Sequence, residues 1–285
     1  MVKKLSYLCF KALVFLDKIF NTITKRSVLI YFNDFIQDSA YKSINILDKE
    51  IKFFVPNQLL NWRVDTFFTK EPETLEWIDN FEKKENLIFW DIGANIGLYS
   101  IYNSLKNPKS TTIAFEPSSS NLRVLTRNIS INNLEKKIKV IPIPLTNKKN
   151  IFQEMKEGQF IEGGAMNSFG EKFDFEGKEF QTTMNYNLLG TTMNYFLENS
   201  ILEIPDYIKI DVDGIEHLIL EGASNYLSHE KIKSILVEVN EKFTDQMNNI
   251  NEILAKNNFK FLSSYQSSNN SSTKTLSTKN YIFTK

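Results

Sequence analysis

The sequence predicts an α/β fold, a doubly wound and mostly parallel sheet with helices on both faces. Three observations carry this expectation. The run 87–97, LIFWDIGANIG, is apolar without helical periodicity, ends at Asp91 and breaks into a loop holding Gly93 and Gly97. That is the pattern of a parallel strand covered on both faces and feeding a ligand loop. Two further apolar runs, 111–115 and 207–210, likewise end on acids, Glu116 and Asp211. Stretches of helical character separate the three runs, the alternation that a doubly wound sheet requires.

The size and charge of the chain bound what it can be. At 285 residues with 42% hydrophobic residues it can build a substantial core, as one domain with an N-terminal extension over 1–80 and a main domain over 81–285. Lys plus Arg equals Asp plus Glu at 34 each, so no global field draws in nucleic acid, and no nucleic-acid partner is expected. The single cysteine, Cys9, excludes an intrachain disulfide and a cysteine-based zinc site, which fits a reducing cytoplasm.

In chain order, residues 1–30 begin with lysines followed by apolar residues, as a secretory signal does. Lys11 interrupts the apolar region, Asp17 and Lys18 follow, and no small-residue cleavage site appears, so a signal peptide is rejected. The segment is also too short and too charged to span a bilayer. Leu5, Leu8, Ala12, Phe15, Leu16 and Ile19 fall on one helical face. This face is expected to dock on its own domain or on a second copy, with a peripheral membrane contact at the cytoplasmic surface as the alternative. Residues 41–60 read as a hairpin around Asp48-Lys49. A turn and then a helix follow over 62–81, with Pro72 near the first helical turn and acids beside it.

The glycine loop distinguishes two cofactor classes. A dinucleotide fingerprint wants G-x-G-x-x-G, whereas this loop reads G-A-N-I-G with Asn95 at the place of a middle glycine. A carboxylate at position 91 repels phosphates and suits a cationic ligand, and S-adenosylmethionine carries an ammonium and a sulfonium. Glu116-Pro117 follows at the end of the next strand, where nucleotide-binding folds hold a ribose diol, a feature both classes share. Read alone, Glu116 is equally a solvated strand end. Ser118 caps a helix over 118–131, and a third strand runs over 138–143.

Residues 150–205 are irregular and contain Gly158, Gly163, Gly164, Gly170 and Gly177. So long an insertion is functional or an edge hairpin, and substrate selectivity is expected here and in 41–80. The strand over 207–210 then delivers Asp211, Asp213, Gly214, Glu216 and His217, the densest titratable cluster in the chain, to the edge that carries Asp91 and Glu116. Carboxylates this close cannot all ionise freely, as at sites of proton transfer, although acids also cap helix N-termini. A divalent cation on Asp211, Asp213 and Glu216 is an open alternative, and no metal site is assigned. The fold closes with a strand over 234–239, a helix over 243–256 and strands over 259–264 and 281–284, with a Ser/Asn-rich hairpin tip between the last two. Glu238 and Asn240 face the ligand edge as further candidates for substrate contact.

The strings FWDIGANIGLYS, IAFEPSSSNLRVLTRNISIN, DYIKIDVDGIEHLILEGA and SILVEVNE, in this order, resemble the FkbM family of S-adenosylmethionine-dependent methyltransferases. The resemblance covers about residues 60–285, and KIDVDGIEHLILEGA is its most specific part. It implies a class I methyltransferase fold, Rossmann-like, with a seven-stranded, mostly parallel sheet, an antiparallel final hairpin and S-adenosyl-L-methionine as cofactor. Cofactor contacts are expected from Thr74 to the methionine carboxylate, and from Asp91, Gly93, Asn95, Gly97, Glu116, Pro117 and Asp211. Near the adenine the family carries a small hydroxyl residue and an aspartate; here Thr146 and Asn147 stand instead, and an amide still bonds an exocyclic amine. The expected reaction is methyl transfer to a hydroxyl oxygen, with His217 as base assisted by Asp213 or Glu216. The resemblance implies small-molecule or sugar acceptors, and the Lys-, Asn- and Ile-rich composition points to glycan biosynthesis at a bacterial surface. Two rivals are an NAD-dependent oxidoreductase, disfavoured by G-A-N-I-G, and an inactive scaffold, which would have no need of Asp91, Gly93, Gly97 and Glu116.

Overall fold

The structure is a computed structural model that describes residues 1–165, 167–171, 179, 184–266 and 278–285. Gly177 of the insertion and positions 267–277 of the closing hairpin tip lie outside the described residues. In chain order come α1 (Val2–Thr24), α2 (Leu29–Ser39), β1 (Tyr41–Ile46), β2 (Lys49–Phe54), α3 (Gln58–Asp65), α4 (Phe67–Lys70) and α5 (Pro72–Asp79). Next are β3 (Ile88–Ile92), α6 (Leu98–Lys106), β4 (Thr111–Phe115), α7 (Ser119–Ile131) and β5 (Ile138–Ile141). The insertion supplies β6 (Ile151–Glu157), β7 (Ser168–Phe169) and β8 (Met184–Gly190), and α8 (Met193–Glu198) follows. The chain ends with β9 (Tyr207–Ile210), α9 (Glu216–Glu221), β10 (Ser234–Asn240), α10 (Thr244–Lys256), β11 (Lys260–Gln266) and β12 (Thr278–Thr284).

The main sheet has seven strands in the order β11-β12-β10-β9-β3-β4-β5. Strands β10, β9, β3, β4 and β5 are parallel neighbours, while β12 runs antiparallel to both β10 and β11. The chain starts the sheet at its centre with β3, builds outward through β4 and β5, and returns through β9 on the other side of β3. The strand order therefore reverses between β3 and β9, and an open α/β sheet opens its ligand crevice at such a switch point.

Side-chain alternation divides the core between the two faces. Ile88, Trp90, Ile92, Ile208, Ile210, Ile235 and Val237 pack with α8, α9 and α10 on one face. Phe89, Ala114, Tyr207 and Leu236 pack on the other with α5, α6, α7 and with Phe53 and Phe54 of β2. This period of two is what a strand buried on both sides imposes. Residues 46–78 share that second cluster, through Ile46, Leu60, Val64, Phe67, Trp77 and Ile78.

Three local features depart from the sequence expectation. The stretch 58–79 forms three short helices rather than a turn and one helix. Asn57 caps α3 by accepting the Leu60 N–H at 2.9 Å, and Pro72, which lacks an N–H, opens α5. The insertion builds a three-stranded antiparallel sheet in the order β7-β6-β8. Helix α9, for which the sequence reading implies a helix over 215–227, spans only Glu216–Glu221, and at its end Gly222 lies against the Thr146 carbonyl so closely that a Cβ would overlap it. The hairpin at Leu47-Asp48 forms as expected, with φ of 51° and 60°, the left-handed pair that a two-residue turn uses.

Helices α1 and α2 stand apart from this core, and neither buries a single residue. They are joined at the start of α2, where the Asp17 carboxylate accepts from Ser27 Oγ at 3.0 Å and from the Leu29 N–H at 3.1 Å. Among the described residues no helix is long and apolar enough to cross a membrane.

Candidate active site

The loop after β3 is anchored by its neighbours. The N–H groups of Gly93 and Ala94 both donate to the Phe115 carbonyl at 3.0 Å, tying the loop to the end of β4. Gly93 has φ of 83°, and a Cβ there would overlap the Asp211 carbonyl oxygen, so only glycine lets the ends of β3 and β9 close together. Gly97, expected at the cofactor, has a packing role: it starts α6 at φ 87°, and a Cβ would press on Leu125 at 2.6 Å.

Two clefts open around this loop and share Gly93, Asn95, Asp211 and Asp213. The first lies over β4 and is walled by Phe115, Leu145, Phe169 and Ile219, with Glu116 and Pro117 at its side. The second, about 360 Å³, opens toward α3, α4 and β10 and is lined by Trp62, Arg63, Lys70, Glu71, Tyr99, Lys209 and Glu238.

In the first cleft Glu116 is clamped by backbone: its Oε2 accepts from the Asn95 N–H at 2.7 Å and its Oε1 from the Ser118 N–H at 2.8 Å. Burial pushes its carboxyl up to about 8, against the pull of these N–H groups. Asn95 donates its amide to the Gly164 carbonyl at 2.8 Å and Asn121 donates to the same oxygen at 3.0 Å, strapping the insertion across the glycine loop. Arg63 Nε reaches the adjoining Gly163 carbonyl at 2.7 Å. Asn95 Oδ1 remains buried with no hydrogen-bond partner among the described residues.

The second cleft rests on a buried charge network that the sequence reading did not identify. Lys209 is 1% exposed, and its Nζ lies 2.6 Å from Asp211 Oδ2 and 5.0 Å from the centre of the Tyr99 ring. Burial alone would lower the Lys209 pKa, but the carboxylates of Asp211, Glu71 and Asp91 hold it above the usual lysine value. Glu71 receives the Lys70 ammonium at 2.5 Å and the Tyr99 hydroxyl at 2.8 Å. Burial would raise the Glu71 carboxyl, yet the Lys70 and Lys209 charges take it down to about 2. Glu238 moves the other way, held well above the usual carboxylate range by burial and by Asp211 and Asp213. One signal for the network was present in the sequence: a lysine inside a buried parallel strand needs carboxylate partners.

The acidic cluster after β9 divides by role. Asp213 lines both clefts, in a left-handed conformation at φ 63°. Glu216 turns inward, accepting the N–H groups of Val212 and Gly214 at 3.1 Å and the Gln246 amide, so it shapes the loop that presents Asp213. Burial leaves its carboxyl at about 7. His217, expected as the base, lines neither cleft: α9 turns its ring onto Phe243 with 6.3 Å between centres, and burial lowers its pKa. The expected trio of Asp211, Asp213 and Glu216 thus points in three directions, toward Lys209, the clefts and the loop backbone.

Four other expected contacts also lie outside the cleft linings. Asp91 is buried behind the loop, where its Oδ2 accepts from Ser100 Oγ at 2.6 Å while Oδ1 has no partner among the described residues. Burial raises its pKa, against the Lys209 charge. Thr74 is fully buried in α5, its hydroxyl also without a partner. Thr146 and Asn147 turn away because 144–146 pair with Thr191, and Asn147 instead donates to Glu221 at 2.7 Å. Leu145 and Ile143 take their place in the wall.

A ligand with an apolar ring system, a diol and a cationic tail fits what is present. The apolar walls of the first cleft could take the ring, the Glu116 carboxyl the diol, and the acid-rich rim that joins the clefts the tail. The orphaned Asn95 oxygen and the Cβ-free surface of Gly93 lie between these points.

Comparison with known proteins shows the family. The methyltransferase sdnD of Sordaria araneosa is 27% identical over 205 residues, 60% of this chain and 73% of the relative. Solved chains similar to this one include a precorrin-6y C5,15-methyltransferase from Geobacter metallireducens, at 13% identity, 76% of this chain, 88% of that chain and a TM-score of 0.44. Another is the M. capricolum TrmK in complex with S-adenosyl-homocysteine, at 14% identity, 74% of this chain, 66% of that chain and a TM-score of 0.43. The methyltransferase FkbM domain matches residues 91–261, the span that carries the glycine loop, Glu116, Lys209 and the acidic cluster, and the chain therefore belongs to the FkbM family of S-adenosylmethionine-dependent methyltransferases.

Proposed function

We propose that the enzyme methylates a hydroxyl oxygen of a sugar or a similar polyhydroxylated acceptor held in the second cleft. The observation that carries this reading is the lining of that cleft, where Glu71, Asp211, Asp213 and Glu238 surround a volume of about 360 Å³ with the indole of Trp62, itself 38% exposed, at the side. Carboxylates accept hydrogen bonds from several hydroxyls at once, and an aromatic face covers the apolar side of a sugar ring. A glycan hydroxyl, of the kind found in a bacterial surface polysaccharide, suits this lining better than an apolar acceptor.

The residues divide the work as follows. Glu116 would hold the ribose hydroxyls of the cofactor, Phe115, Leu145 and Ile219 would flank its adenine, and Asp211 and Glu71 would face its cationic tail. Bound S-adenosylmethionine supplies a methyl group on a positively charged sulfur, already set to leave. Asp213 is the group we assign to take the acceptor's hydroxyl proton, because it alone of the expected catalytic residues lines both clefts. Glu238, its carboxyl pushed up by burial and its acidic neighbours, would donate a hydrogen bond in its neutral form that orients an acceptor oxygen. The Lys209–Asp211 pair and the straps from Asn95 and Asn121 keep the rim in place and exclude water.

The test is methyl transfer from labelled S-adenosylmethionine to a panel of free sugars, nucleotide sugars and small phenols, with product methoxy groups located by NMR. Turnover on a sugar hydroxyl is expected. Transfer confined to the phenols, or to an amine or carboxyl group of amino sugars and uronic acids included in the panel, would overturn the assignment.

A further inference from the structure

Helix α1 presents an apolar face that none of the described residues buries. Leu5, Leu8, Phe15, Leu16, Ile19 and Ile23 lie along it, each 47–77% exposed. It extends over a helix of 23 residues, about 34 Å at the usual rise. The contact with α2 lies elsewhere on the helix: Leu13, Val14 and Asp17 are the α1 positions that become partly covered. An apolar surface of this extent, continuous and unpartnered, marks an interaction site.

The charge beside this face selects the partner. Lys4, Lys11 and Lys18 recur at seven-residue spacing, two helical turns apart, and so form a row along one edge of the apolar face. Within residues 1–28 there are six basic residues and one acid, Asp17, whose carboxylate is already held by Ser27, Val28 and Leu29. This local excess stands out in a chain with 34 basic and 34 acidic residues. A second copy of α1 would meet the lysine row with lysines, since the helix carries no free acid. An anionic lipid surface would meet it with opposite charge while the apolar side chains enter the headgroup boundary.

We propose that α1 docks the enzyme on the surface of an anionic bilayer, lying in the interface with its apolar face down and Lys4, Lys11 and Lys18 on the headgroups. The helix does not cross the membrane. The catalytic sheet, whose core includes no residue of α1, stays in the water above it.

The test uses the full chain in sedimentation with vesicles of phosphatidylcholine alone and of phosphatidylcholine with phosphatidylglycerol. Binding is expected only to the anionic vesicles and is expected to fall as salt rises. Replacing the three lysines together (Lys4→Gln, Lys11→Gln, Lys18→Gln) should weaken partitioning on the order of a hundredfold, and Leu16→Ser with Ile19→Ser should remove it. Both variants should keep wild-type melting and S-adenosylmethionine affinity, because α1 buries no residue. Equal binding to both vesicle types, no binding to either, or undiminished binding by the lysine variant would overturn the proposal. So would a dimer seen by light scattering without lipid that dissociates in the Leu16→Ser, Ile19→Ser variant. If a variant melts early, the lipid and salt dependence of the wild type still decides.

Discussion

The two clefts that meet at Gly93 and Asp213 are built from opposite electrostatic solutions. In the first, Glu116 is buried among apolar walls, held by the Asn95 and Ser118 N–H groups and the Asn121 side chain, and its carboxyl rises to about 8. In the second, Glu71 is equally buried, yet two ammonium groups and a tyrosine hydroxyl bring it down to about 2. Burial is common to both, so the difference comes from full charges. Backbone dipoles satisfy a carboxylate without overcoming its desolvation, whereas Lys70 and Lys209 overcome it. The first cleft thus suits a neutral ring and diol, and the second a polar, hydroxylated guest.

The most direct way to break this comparison is to remove the charge under the second cleft. Lys209→Met leaves Asp211, Glu71 and Asp91 without their shared counter-charge and should cost about 3–5 kcal/mol of stability, read as a lowered denaturation midpoint. If the variant is as stable as wild type, the network does not hold the rim. Asp213→Asn should lower kcat by about 100- to 10,000-fold while the affinity for S-adenosylmethionine, measured by titration calorimetry, changes little. A His217→Gln variant that lost as much activity would return the base to His217.

A further substitution separates backbone closure from chemistry. Gly93→Ala should abolish titratable binding of S-adenosylmethionine and S-adenosylhomocysteine, because the added Cβ overlaps Asp211 and the φ of 83° is strained for alanine. Unchanged binding would sink the reading of this loop. NAD should give no heat with either protein.

The smallest effects are those of pH, and they have opposite signs in the two clefts. Glu116 has its folded pKa raised from 4.5 to about 8, so the stability linked to its neutral form is fully present below pH 4.5 and is lost as pH rises through about 8. Glu71 has its folded pKa lowered from 4.5 to about 2, so its contribution is present above pH 4.5 and is lost as pH falls toward 2. Denaturant titrations across pH should show Glu116→Gln flattening the alkaline decline alone and Glu71→Gln the acid decline alone. A single shared decline would show that the two carboxyls belong to one coupled system.

The strands were the most legible part of the sequence. The expected runs 111–115 and 207–210 coincide with β4 and β9, because a strand buried on both faces writes its whole length as apolar residues. The places of Glu116 and Asp211 at the sheet edge were legible for a related reason: each stands where an apolar run stops, at the end of a strand. The split of 58–79 into three helices was not legible, since Thr66 and Glu71 break the helix through contacts set by packing. That His217, Thr146 and Asn147 lie outside the cleft linings was not legible, because proximity in sequence to the ligand edge does not say which way a side chain turns.

By itself the sequence determined the alternation of strands and helices, the glycine loop and the amphipathic character of α1, all of which are written in the local period and spacing of apolar, glycine and lysine positions; the strand order with its switch point, and the fact that α1 buries no residue, came from the tertiary structure. Only the tertiary structure decided which acids face the ligand and which serve the fold. Lys209 meets Glu71 across 138 positions of chain, Gly164 is held by Asn95 and Asn121, and His217 turns onto Phe243. The pKa of a carboxyl depends on the charges and dipoles within a few ångströms of it, and those neighbours are brought together by the fold, not by their order in the chain.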